Sequence, residues 1–186
     1  MLTLTTQPTL EPVSLADAKL HLRIETTADD TLIASLIATA RQQIERTLSL
    51  ALVTQSWSLF LDAWPNTATP IEIRVTPITA LTAVRTFAPD DTPTTLPLAD
   101  FQLDRASTPP RLVHRRGTTL TAPLRRLNAI EIAFTAGFGA TPADVPAPIR
   151  QAILHLTAHL YENREGADPL PTAIATLLAP WHRPRL

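Results

Sequence analysis

The chain has 186 residues, of which 18 are Pro, 4 are Gly and none is Cys, and its formal net charge is −1. Without Cys there is no disulfide framework, no thiolate metal site and no thiol nucleophile. Four Gly cannot build a Gly-rich phosphate loop, neither G-x-G-x-x-G nor G-x-x-x-x-G-K-[ST] occurs, and a near-neutral balance gives no overall pull towards nucleic acid or membrane.

In chain order, residues 1–13 are polar with scattered Leu and two Pro, and read as an extended lead-in. Ser14 followed by Asp17 approximates a capping box and opens a short helix over Leu15–Leu22. Asp29 and Asp30 open a second helix of about 20 residues, whose apolar positions Ile33, Ile37, Ala40, Ile44 and Leu48 recur at helical spacing. Arg41, Gln42, Glu45 and Arg46 fall off that stripe and are expected to be solvated or at an interface.

The period then changes to two. Trp57, Leu59 and Leu61 alternate with Ser56 and Ser58, which predicts a strand within residues 54–62. Pro65 and Asn66 begin a turn. Strands are predicted for residues 71–75, ending at Pro77, and for 81–87. Residues 88–93 read as a turn, 101–104 and 111–114 as short strands around Pro109 and Pro110, and 129–135 as a last strand. Gly137 and Gly139 mark a point needing positive φ or close backbone approach. Asp144 with Pro146 signals a helix start, with Ile149, Ile153, Leu156 and Leu160 on one face up to about Arg164. Gly166 reads as its stop. Pro171 opens a last helix over 173–179, which Pro180 ends. Helices, then strands, then helices predict an α+β fold with an antiparallel sheet.

Average usage is about 5% Pro and 7% Gly, so the ratio here is inverted, and Pro cuts a chain into short elements with stiff joints. A hydrophobic fraction of 45% with 18% charged residues argues for a packed fold over disorder. No apolar run reaches the roughly 18 residues of a membrane span, and no charged segment precedes an apolar core at the N-terminus, so a soluble, non-secreted protein is expected.

Catalytic signals are scarce. His155, His159 and Glu162 share a helical spacing that can hold a metal in a hydrolase. The zincin motif, however, requires Glu directly after the first His, where Leu156 stands. The plainer reading leaves both His flanking the apolar stripe or touching a neighbouring chain. Asp29-Asp30 and Asp90-Asp91 sit at cap and turn positions where Asp is ordinary. No catalytic residue, metal ligand or cofactor is assigned, and no enzyme is expected.

Charge is unevenly spread. Arg111, Arg115, Arg116, Arg125 and Arg126 face one acid, Glu131, in residues 111–135. This segment suits phosphate or an acidic partner, as in a small nucleic-acid-binding module, or is a solvated loop. The tail Trp181-His182-Arg183-Pro184-Arg185-Leu186 follows a helix stop. It carries residue types enriched at interface hot spots, and reads as a docking peptide or as an end with Trp181 folded back.

Residues 11–19 (EPVSLADAK) with 21–24 (HLRI) resemble the opening of the head–tail connector (adaptor) proteins of long-tailed phages, a family also found in prophages and gene transfer agents. Asp30–Arg46 resembles its second helix and Thr54-Gln55-Ser56-Trp57 its first strand. Residues 134–139 (FTAGFG) followed by 145–153 (VPAPIRQAI), and then 161–165 (YENRE), complete an ordered set spanning nearly the whole chain. The turn at Pro89–Pro93 and the Pro109-Pro110-Arg111 step lack a Gly that the family pattern has.

The resemblance implies a helical bundle built from both chain ends, with a small antiparallel sheet domain inserted. It divides the chain into arm and helices (1–53), β domain (54–140), C-terminal helices (141–179) and docking tail (180–186). It also implies a non-enzymatic ring, dodecameric in such adaptors, made in the bacterial cytoplasm and located in the neck of a virion or phage-like particle. Its implied partners are further copies of itself, the portal, a downstream neck, stopper or tail-completion protein, and double-stranded DNA passing without specific recognition. Under that reading Trp181, His182, Arg183, Arg185 and Leu186 dock on the portal. Arg41, Gln42 and Arg46 are ring or neck contacts, and Arg115, Arg116, Arg125 and Arg126 face the lumen or the neck.

Overall fold

Local signals place the helices and strands in a computed structural model that describes residues 1–65, 69–115, 123–163 and 170–182. In chain order the elements are β1 (Leu2–Thr6), α1 (Leu15–Leu22), α2 (Asp30–Leu48), β2 (Gln55–Leu61), β3 (Ile71–Glu72), β4 (Ile78–Phe87), β5 (Pro93–Leu96), β6 (Phe101–Asp104), β7 (Arg111–His114), β8 (Ile130–Ala136), α3 (Ala147–Glu162) and α4 (Thr172–Leu178). The expected α+β class with antiparallel sheets is what forms. The chain divides into two units, one of Met1–Gln7 with Thr54–Gly137, the other of Pro8–Val53 with Phe138–Leu186.

In the helical unit, Ser14 caps α1: its side chain accepts from the Asp17 backbone N–H, and its hydroxyl donates to the Asp17 carboxylate. Arg23 ends α1 and Ser49 ends α2, both in the left-handed conformation. Every residue of the predicted α2 stripe, Ile33, Ile37, Ala40, Ile44 and Leu48, is buried. They share one core with Ile149, Ile153 and Leu156 of α3 and with Ile174 and Leu178 of α4. At about 1.5–3 kcal/mol per buried aliphatic side chain, that shared core is the main force holding the helices together.

Two start signals act differently from expectation. Asp29 precedes α2 without a side-chain cap bond; its carboxylate instead accepts from the Tyr161 hydroxyl at 2.8 Å. Asp144 does not cap α3. It ends a short 3-10 turn and accepts from the backbone N–H and the hydroxyl of Thr141 at 2.9 and 2.8 Å. Pro146 is the residue before α3. The Asp144 carboxyl is thereby held below its usual pKa, first by the Thr141 backbone bond.

The sheet unit holds a five-stranded antiparallel sheet ordered β1-β2-β8-β4-β5 and a three-stranded one ordered β3-β7-β6. Residues 2–6, expected as part of an extended arm, form the edge strand β1, which pairs with β2 so that Leu2 faces Leu59 and Leu4 faces Trp57. Pro93, expected to end a turn over 88–93, instead starts the edge strand β5, where a missing N–H is tolerated. The predicted strand over 71–75 is reduced to Ile71–Glu72. In β8 the alternation is strict: Ile130, Ile132, Phe134 and Ala136 are fully buried. In β2 the predicted strand forms, and Ser58 is buried and donates to Glu131 at 2.7 Å.

Both Gly positions behave as expected. Gly137 has φ 146°, in the region that favours glycine, and donates to the Pro77 carbonyl at 2.9 Å. At Gly139 an added Cβ would overlap the Asp144 side chain.

Candidate interaction surfaces

The residues expected at a ring or neck interface separate in the structure. Gln42 and Arg46 are exposed on α2. Arg41 is not: it is 2% exposed, and its Nε donates to Glu11 at 2.7 Å and its Nη1 to Glu45 at 2.7 Å. Glu45, also expected off the core, is buried and accepts the Leu52 backbone N–H at 2.9 Å. The expectation of a solvated Arg41 is therefore corrected. The cause is long-range pairing: Glu11 lies 30 residues away in sequence and Leu52 beyond the end of α2. Burial lowers the Arg41 pKa, but the hydrogen bonds and charges of Glu11 and Glu45 outweigh it and hold the guanidinium above its ordinary value. This cluster fastens the lead-in and residues 50–52 to α2 instead of offering a surface.

In the tail, Trp181 is half-buried and packs against the helical core, so it is folded back and not presented. His182 is exposed. Arg183, Arg185 and Leu186 lie outside the described residues.

The Arg-rich segment is largely tied into its own unit. Arg111 pairs with Asp104 at 2.9 Å, and Arg115 Nε donates to the Phe101 carbonyl at 3.2 Å. Arg125 lies 4.1 Å over the Phe87 ring, pairs with Asp91 at 3.1 Å and donates to the Asn128 carbonyl. Arg126 is exposed, and Arg116 lies outside the described residues. Asp104 is held at a pKa of about 2, first by the Ser107 hydroxyl and then by Arg111. Neither support was visible in the sequence, where Asp104 stood only as the end of a short strand.

The His pair does not form a metal centre. His155 Nε2 lies 3.1 Å from Gln151 Nε2, and its ring meets His21 edge-on at 5.2 Å. His159 Nδ1 lies 3.3 Å from Asn163 Nδ2. Among the described residues no group of three or more His, Asp or Glu is placed to hold a metal ion. No helix among them is long and apolar enough to cross a membrane.

A family model, described as phage gp6-like head-tail connector protein, matches residues 12–86. Over that span, well under half of the chain, it is similar to phage gp6-like head–tail connector proteins. Solved structures agree along its whole length. A chain from the neck of an empty gene transfer agent particle, computed with C6 symmetry, is 27% identical with a TM-score of 0.85, covering 100% of this chain and 97% of that one. A chain from the neck of a native particle, computed with C12 symmetry, is 26% identical with a TM-score of 0.82 over 100% and 97%. A third, from the virion of a native gene transfer agent particle, is 28% identical with a TM-score of 0.81 at the same coverage. No curated protein matches. These neighbours are structural parts of a particle, and neither the hydrolase nor the nucleic-acid-module reading finds support among them.

Proposed function

We propose that the chain is a structural, non-enzymatic connector at the head–tail junction of a phage-like particle, assembled as a dodecameric ring beneath the portal. The observation that carries this reading is the likeness to neck chains, at a TM-score of 0.85 over all of this chain. The second neck structure, computed with C12 symmetry, supports a ring of identical copies with twelve-fold repetition. A closed ring is what heterologous contacts give when the rotation between neighbours closes.

In this reading the four helices act as one bundle drawn from both chain ends, with the sheet unit inserted between residues 53 and 138. Gln42 and Arg46 are contacts to a neighbouring copy or to the neck. His182, Arg183, Arg185 and Leu186 dock on the portal, with Trp181 fixing the base of the tail. Arg115, Arg116, Arg125 and Arg126 line the lumen or meet the next neck protein. DNA passing through needs no grip on its bases, since phosphate contacts carry no sequence information.

Deleting the gene in the producing strain tests the reading. The expected result is filled or leaking heads without tails, restored by the full chain supplied in trans. Intact, tailed particles from the deletion strain would overturn it.

A further inference from the structure

A cleft of about 460 Å³ opens in the helical unit between α1 and the start of α3. Val13, Leu20 and Leu154 give it apolar walls, and Leu20 stands 80% exposed at its edge. Arg150 lines the same cleft, with its Nε buried and without a hydrogen-bond partner among the described residues. The neighbouring acid does not answer it: the Asp17 carboxylate is engaged by the Ser14 hydroxyl at 2.6 Å. A buried donor left unpaired is costly, and a guanidinium fork matches a carboxylate through two parallel bonds. Apolar walls around an unmatched Arg have the make-up of an interface centre, where Arg is enriched.

We infer that this cleft is the acceptor half of the contact between adjacent copies in the ring, taking an exposed carboxylate of the next copy onto Arg150 with Leu20 packed beside it. The inference rests on the ring reading above. A cyclic assembly requires each copy to present two different, complementary patches. The helical unit carries the matching charge. Glu25, between α1 and α2, and Glu162, at the end of α3, are both exposed and stand in no ion pair with a described residue. One of them meets Arg150 of the adjoining copy.

The test is native mass spectrometry and sedimentation of the full chain, comparing wild type with Arg150→Glu and Leu20→Glu, with circular dichroism as the check on folding. Leu20 is so exposed that its substitution cannot disturb the core, which keeps the test valid if Arg150→Glu folds poorly. Wild type is expected as rings. Each variant is expected to shift at least tenfold towards monomer with an unchanged spectrum. Adding Glu25→Arg or Glu162→Arg to Arg150→Glu is expected to restore rings with one of the two. Rings in both single variants at the wild-type level would assign the cleft to another partner and overturn the inference, leaving the ring reading standing. Loss of rings that neither reversal restores would overturn the carboxylate assignment. A wild type that stays monomeric at every concentration would remove both the inference and the ring.

Discussion

Arg41 Nε donates to the Glu11 carboxylate at 2.7 Å across 30 residues of sequence. The bond ties the segment before α1 to the middle of α2, and the same guanidinium holds Glu45, which in turn holds the Leu52 N–H. Removing Arg41 leaves Glu45 buried without its cation. Arg41→Ala is therefore expected to lower unfolding free energy by about 3–5 kcal/mol. Glu11→Gln keeps an acceptor at a half-exposed site and is expected to cost only about 1 kcal/mol. Urea unfolding of both variants checks this; equal, small losses would show that the cluster does not hold the helical unit together.

Gly139 is fixed by the space its neighbour leaves. A methyl group there would overlap Asp144, whose carboxylate is held by two bonds from Thr141. Gly139→Ala is expected to destabilise by about 1–3 kcal/mol, the usual range for overpacking. A thermal melt within error of wild type would show that Asp144 moves freely aside.

Asp104 gives the sheet unit a signature in acid. Its folded pKa of about 2 lies below the ordinary carboxylate value of 3.8, through the Ser107 hydroxyl first and Arg111 second. A depressed folded pKa contributes stability that is present above the unfolded value and is lost as pH falls through the folded one. The contribution thus fades between just under pH 4 and about pH 2. Following the Asp104 carboxyl resonance against pH is expected to give a midpoint near 2 in wild type and a clearly higher one in Ser107→Ala. An unchanged midpoint would assign the shift to Arg111.

Trp181 separates anchoring from docking in the tail. Because it packs half-buried on the helical core, Trp181→Ala is expected to lower stability by about 1–3 kcal/mol. Under the portal-docking proposal, Arg183→Ala with Arg185→Ala leaves the melting temperature unchanged and weakens portal capture in a pull-down. Full portal capture by that double variant would remove those two Arg from the docking site.

What the sequence made legible follows the range of the interactions. The α2 stripe was readable because helical period is local, and all five of its residues are buried. Gly137 and Gly139 were readable because their scarcity pointed to backbone need. β1 was not readable, since its Leu2 and Leu4 acquire meaning only opposite Leu59 and Trp57. Arg41 was misread for the same reason. Periodicity placed it outside the core, while Glu11 makes its burial possible. The Arg segment looked like an unassigned basic surface because Asp91, Asp104 and the Phe87 ring reach it only through the fold.

The central claim is that this chain is a ring-forming connector in the neck of a particle. Cryo-electron microscopy of particles purified from the producing strain, reconstructed at the neck with cyclic symmetry imposed and relaxed, tests it most directly. The account predicts density at the head–tail junction that fits this chain's helical and sheet units, repeated twelve-fold around the DNA path. Tailed particles whose neck density fits other chains, with this one absent from their protein content, would contradict it.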